Sequence, residues 1–108
     1  MNSDPRLKVL QDELAHFSRT IGHPARVEIL LEVHRRGKVE EGVKLQIGEL
    51  SPATVMQHLR ELKRAGLIQG RIFGARCSYS VNEEKLQSFM QNSQLFFDLM
   101  MAQPPSNG

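Results

Sequence analysis

Apolar residues recur along this chain at two intervals, and the interval changes at one place. Leu7, Leu10, Leu14, Phe17 and Ile21 follow one another every three or four residues, the spacing that lines one face of a helix. Asp4-Pro5 ahead of them suits an N-cap and first helical residue, so a helix is predicted from about residue 5 to 21, ending near Gly22. Pro24 restarts the pattern. Val27, Leu30, Leu31 and His34 share a face, Glu32 stands four residues before Arg36, and Gly37 supplies a stop. Ser51-Pro52 opens a further helix with Val55, Leu59 and Leu62 as its inward stripe. Ala65-Gly66-Leu67 closes it, with Gly66 free to take a positive φ. From Ile68 the interval drops to two. Ile68 and Ile72 alternate with Gln69 and Arg71, Gly74-Ala75 can turn, and Cys77, Tyr79 and Val81 alternate with Arg76, Ser78 and Ser80. That predicts an antiparallel hairpin with one apolar face. Asn82 then caps a last helix carrying Leu86, Phe89, Met90, Leu95, Phe96, Phe97, Leu99, Met100 and Met101.

Residues 38–50 fit two patterns. Val39, Val43, Ile47 and Leu50 suit a helix face, whereas Val43, Leu45 and Ile47 alternate as in a short strand. The helix, starting near Glu40 to Gly42, is the reading adopted. The expected order is therefore helix, helix, helix, helix, hairpin, helix, a mainly α fold with a small β-hairpin.

The chain has 108 residues, which suits one domain. That domain is expected over 1–102, with a polar, proline-bearing tail at 103–108 that frays. A domain of this size buries only about two-thirds of its unfolded surface. The terminal helices nevertheless carry more apolar side chains than one small domain needs. Helices at about 5–21 and 83–101 are thus expected to form a dimer interface through Leu7, Leu10, Leu14, Phe17, Phe89, Met90, Phe96, Phe97 and Met100.

Net charge is +2, too small to argue for nucleic acid by itself. Its distribution says more, because residues 51–82 hold five Lys or Arg against one Glu, a local +4. The one cysteine, Cys77, excludes an internal disulfide framework and fits a reducing compartment. No apolar run approaches about 18 residues, so no transmembrane helix is expected. The acidic, weakly apolar start MNSDPRLKVLQDE is unlike a signal peptide.

A helix followed directly by a small basic hairpin is the arrangement with which winged helix-turn-helix proteins grip DNA. The residues carry a more specific resemblance. IGHPARVEILLEV looks like the second-helix signature of the ArsR/SmtB-like winged-helix repressors, in which an Asp/His-Pro-x-Arg segment precedes Ile-Leu. SPATVMQHLRELKRAGLI is similar to that family's recognition helix, matching at Ser51, Thr54, Val55, His58, Leu59, Leu62, Ala65, Gly66 and Leu67. GARCSYSVN, from Gly74 to Asn82, resembles its second wing strand. The resemblance spans about Leu14 to Phe97. It implies a bacterial, cytoplasmic homodimer clamped by its first and last helices, with a recognition helix from each protomer in successive major grooves of an inverted repeat. It also implies a repressor released from DNA by a metal or another signal. Three positions depart from the pattern. Met56 replaces the usual Ser after Thr-Val, Phe73 sits at the wing tip where a charge is commoner, and Glu49 stands where many members have a turn Gly. Gly48 can take that last role, which leaves the register of the preceding helix open by one residue.

On a helical wheel Ala53, Gln57, Arg60 and Arg64 lie opposite Val55, Leu59 and Leu62, with Thr54 and Met56 on the flanks. The expected DNA contacts follow from residue chemistry. Gln57 can pair with adenine in the major groove. Thr54 can reach a phosphate or a thymine methyl, and Met56 offers only apolar contact. Ser51 and the N–H groups behind it suit a phosphate, weakened by the N–H that Pro52 lacks. Arg60, Lys63, Arg64, Arg71 and Arg76 would make salt-sensitive phosphate contacts. His58 is read as a half-buried packing residue that also touches a phosphate, and His23 and Arg26 as ordering the start of the second helix.

No metal site and no cofactor are expected. Metal-sensing members of the family use a Cys pair near the third helix or Asp/His/Glu sets on the last. Here Glu40 and Gly42, or Gln46 and Gly48 in the shifted register, occupy the Cys positions, and the last helix has Asp98 but no histidine. With no Gly-rich phosphate loop and no catalytic setting for Cys77, an enzyme is not expected. The reading is a dimeric, sequence-specific double-stranded DNA-binding regulator with an unknown small-molecule effector. Its alternatives are a winged-helix protein-interaction module without an operator, or a regulator responding to redox change at Cys77 or to a hydrophobic ligand between the terminal helices.

Overall fold

A computed structural model describes residues 4–104, so part of the tail expected at 103–108 lies outside the described residues. Four helices and three strands follow in the order α1 (Pro5–Thr20), α2 (Pro24–Arg36), β1 (Val39–Glu40), α3 (Pro52–Arg64), β2 (Ile68–Phe73), β3 (Arg76–Val81) and α4 (Glu83–Met101). Three of the four helices begin at the cap the sequence marks. Asp4 accepts from the Arg6 N–H, Ser51 from that of Thr54 and Asn82 from that of Lys85, satisfying donors that have no partner inside the helix. Gly37 closes α2 with φ 81°, a conformation that would strain any residue with a Cβ. Glu32 pairs with Arg36 at 2.7 Å, as its spacing suggests, and also with Arg35. The two guanidiniums hold its carboxyl well below the usual range, at about 2.

The hairpin register is Ile68 with Val81, Gly70 with Tyr79 and Ile72 with Cys77, which places those six residues on one face. Gly74, with φ +60°, and Ala75, whose φ is not positive, form its two-residue turn, the pattern of a type II′ turn. β1 pairs antiparallel with β3, so the sheet order is β1-β3-β2.

One core joins these parts. Ile29 and Val33 from α2 meet Val55, Leu59 and Leu62 from α3, and Leu67, Ile68 and Val81 from the hairpin's base. α1 adds Phe17, whose ring lies 5.6 Å from that of Phe89 on α4. α1 and α4 are also linked by a 2.8 Å hydrogen bond from Asn92 to Glu13.

Two expectations are corrected. Residues 38–50 do not form a helix. Val39–Glu40 is a strand, and a loop with positive-φ turns at Gly42 and Gly48 leads to Ser51. Leu45 and Ile47 are buried while Lys44 and Gln46 are exposed. Period two therefore won over the helical stripe, and Val43 and Leu50, expected on a helix face, are exposed. The inward face of α2 is also different. Val27, Leu31 and His34 are exposed, and Ile29 and Val33 face the core with Ala25 and Leu30 packed beside them. The helix also carries a second apolar stripe through Ile29 and Val33, and its packing against α3 and β3 selects that one.

Candidate nucleic-acid interface

α3 presents opposite faces to the core and to solvent. Val55, Leu59 and Leu62 are buried, whereas Ala53, Gln57, Arg60, Lys63 and Arg64 are exposed. The exposed strip includes the N-terminal half of the helix, the part that reaches base edges when a recognition helix enters the major groove. Arg60, Lys63, Arg71 and Arg76 make no ion pair among the described residues, and Arg64 holds Glu61 at 3.2 Å in an exposed pair. Exposed pairs of that kind contribute about 0–1 kcal/mol, so Arg64 can exchange its partner for a phosphate at little cost. Lys63 Nζ lies 5.6 Å from the centroid of the Tyr79 ring, which draws its charge toward the base of the wing.

Four candidates are constrained in ways the sequence did not reveal. Ser51 Oγ caps the helix and is 2.9 Å from Thr54 Oγ1, so both hydroxyls are engaged with each other at the helix start. Met56 is half-buried and packs against the core. His58 Nδ1 accepts a 3.0 Å hydrogen bond from Arg26 Nε, and Arg26 also donates to the Thr20 carbonyl at 3.1 Å. The Pro24–Arg26 and His58 motifs, distant in sequence, thus form one tie between α3 and the start of α2.

That tie is sensitive to protonation. Burial, with Arg26 and then His23 nearby, pushes the His58 imidazole below its ordinary value near 6.5. The folded state therefore favours neutral His58. Its contribution to stability is complete above about pH 6.5 and is lost as pH falls through the lower folded value. Thermal melts should show stability declining below about pH 6.5, and His58→Gln, which retains an acceptor for Arg26 but cannot titrate, should flatten that decline. An unchanged pH dependence in the variant would show that another group controls it.

The wing extends the basic surface. Ile72 and Phe73 at its tip are 79% and 66% exposed, an apolar end between Arg71 and Arg76. On the side of the sheet away from α3, Lys38 joins Arg71, Phe73 and Ser78 around an open cleft. Lys38 was not among the sequence candidates, because the β1–β3 pairing that brings it beside the wing has no local signal. The expected apolar face of the hairpin is graded. Ile68 and Val81 are buried, Cys77 and Tyr79 half-buried and Ile72 open.

At the far side α4 has no buried residue in its 19. Of the expected dimer residues, Leu10 and Phe17 are enclosed within the protomer, Leu7, Leu14, Phe89 and Phe96 are half-buried, and Met90, Phe97 and Met100 are exposed. No three His, Cys, Asp or Glu side chains gather as a metal site among the described residues. None of the described helices is long and apolar enough to cross a membrane.

A helix-turn-helix body with an exposed reading strip and a basic β-wing defines the winged-helix class of DNA-binding proteins. No protein-family model matches the chain, but individual relatives do. It is 37% identical over 82 residues to the uncharacterized HTH-type transcriptional regulator Rv0081 of Mycobacterium tuberculosis, a match covering 75% of this chain and 68% of that protein. It is 29% identical over 82 residues to the transcriptional repressor PagR of Bacillus anthracis, covering 76% of this chain and 81% of PagR. Among solved structures, an ArsR-like transcriptional regulator from Rhodococcus sp. RHA1 superposes with a TM-score of 0.69 at 20% identity, over 83% of this chain and 84% of that one. The Rv0081 crystal structure superposes with a TM-score of 0.55 at 24% identity, over 93% and 95%. The chain belongs to the HTH-type transcriptional regulators, DNA-binding proteins rather than enzymes, and has the winged-helix fold of the ArsR-like ones.

Proposed function

We propose that this chain is a homodimeric cytoplasmic repressor that reads an inverted-repeat operator. α3 of each protomer would lie in the major groove, and each wing on the flanking backbone or minor groove. The observation that carries this reading is the division of α3 into a buried apolar stripe and an exposed strip of Ala53, Gln57, Arg60 and Arg64, followed by a wing whose Arg71 and Arg76 are exposed and make no ion pair among the described residues. The repressor named PagR among the relatives supports the direction of regulation. The length of the protomer supports the dimer. Its radius of gyration is 17.4 Å, against about 13 Å for a compact chain of this size, as expected of a subunit whose terminal helices project toward a partner.

Selection of bound duplexes from a random pool, at near-physiological salt, tests the proposal. An enriched inverted repeat with half-sites about 34–36 Å apart, or a multiple of that, is the expected result. No enrichment from a folded dimer would instead favour a protein-interaction module. Two substitutions separate the contacts. Gln57→Ala should cost about 1–3 kcal/mol at one base position and relax preference there. Arg64→Ala should weaken binding to all sequences and reduce the salt slope by about 1. If neither alters binding, the assignment of α3 as the reading helix fails.

A further inference from the structure

We propose that the cavity beneath the recognition helix binds a small neutral aromatic molecule of one or two fused rings. The cavity has a volume of about 220 Å³. Its walls are Val55, Met56 and Leu59 of α3, Val43 and Leu45 of the 41–51 loop, and Tyr79 at the base of the wing. A cavity of about 150 Å³ with aliphatic and aromatic walls suffices for benzene, so this one has room for a substituted or fused ring. A ring seated there would take these apolar walls out of water and give them close dispersion contacts.

The lining also specifies charge. Its carbon walls meet only two ionic side chains, Glu40 and Lys44, one of each sign. Glu40 already lies 3.8 Å from Lys38. The site therefore carries no net charge to select an anion or a cation, and an apolar neutral ring fits it best. Entry lies through the loop, which has no regular structure from Glu41 to Ser51 and is anchored inward by Leu45 and Ile47.

Occupancy would act on DNA because four lining residues, Pro52, Val55, Met56 and Leu59, belong to α3, between and beside Thr54 and Gln57. This effector role rests on the DNA-reading function proposed above, whereas the binding itself does not. It also places the ligand away from the terminal helices, where the sequence suggested one.

Indole is the probe. The chain contains no tryptophan, so indole emission can be followed without background. The full chain should give a saturable blue shift of that emission and a rise in melting temperature of about 5 °C at roughly ten times Kd. Val43→Asp, on an exposed stretch of the loop, should abolish both effects without loss of the fold. Val55→Phe, which fills the cavity from the helix side, should do the same. A shift that persists in both variants, or that Phe97→Asp abolishes instead, would place indole elsewhere and overturn the proposal. So would the absence of saturable binding up to millimolar indole. Saturating indole should change operator affinity at least about fivefold, and binding without such a change would overturn the effector role. If no duplex is bound with or without indole, the DNA-reading function fails while the emission and melting shifts still decide the cavity.

Discussion

Phe97→Asp will convert the proposed dimer into a folded monomer and reduce operator affinity by about 10²–10⁴-fold. Phe97 is 54% exposed on α4, beside the exposed Met90, Met100 and Met101, on a helix with no buried residue. An isolated helix of this length is marginal in water and depends on packing of its apolar face. α1 covers part of that face through Phe17 and Phe89, and in the proposed dimer a second copy would cover the rest. An aspartate there would be buried without a partner, which costs several kcal/mol. The affinity loss follows because two linked half-sites bind far more tightly than one without any added contact. Sedimentation should give twice the 12.3 kDa chain mass for the wild type and that mass for the variant, with helical circular dichroism retained. A variant that stays dimeric would show that another face, such as Val27 and Leu31 on α2, makes the interface.

Leu62→Ala will destabilise the chain by about 2–5 kcal/mol. Leu62 is 0% exposed and lies where α3 packs on the core. Native stability of such domains totals only about 5–15 kcal/mol, so the variant loses a large fraction of it, roughly 4 °C or more of melting temperature per kcal/mol. Leu62→Met, which conserves volume, should cost less than about 1.5 kcal/mol. Denaturant melts measure both. A loss below about 1 kcal/mol for the alanine variant would mean that the core around α3 collapses to fill the space.

The elements that the sequence made legible are those with local causes. Asp4, Ser51 and Asn82 cap helices where they stand, Gly37 and Gly74 take the positive φ their turns require, and the change to period two at Ile68 marks the wing. The exposed strip on α3 was legible for the same reason, because one helix with one strong apolar stripe leaves a single outward face. The face of α2 was not, since two apolar stripes compete and only the packing partner decides between them. The 38–50 segment was not, because Gly42 and Gly48 allow turns whose stability comes from seating Leu45 and Ile47 in the core. The Arg26–His58 tie was visible only as two separate motifs. Its hydrogen bond spans 32 residues, and no periodicity records a contact of that range.

The segment between α2 and α3 has a mechanical consequence. Val39 and Glu40 pair with Tyr79 and Ser78 in the wing, and the chain then walls the cavity and ends on Ser51, the cap of α3. A single covalent strap therefore holds both parts proposed to face the duplex. Wing and α3 cannot be re-aimed independently through this strap, so a shift in it moves the two proposed DNA contacts together.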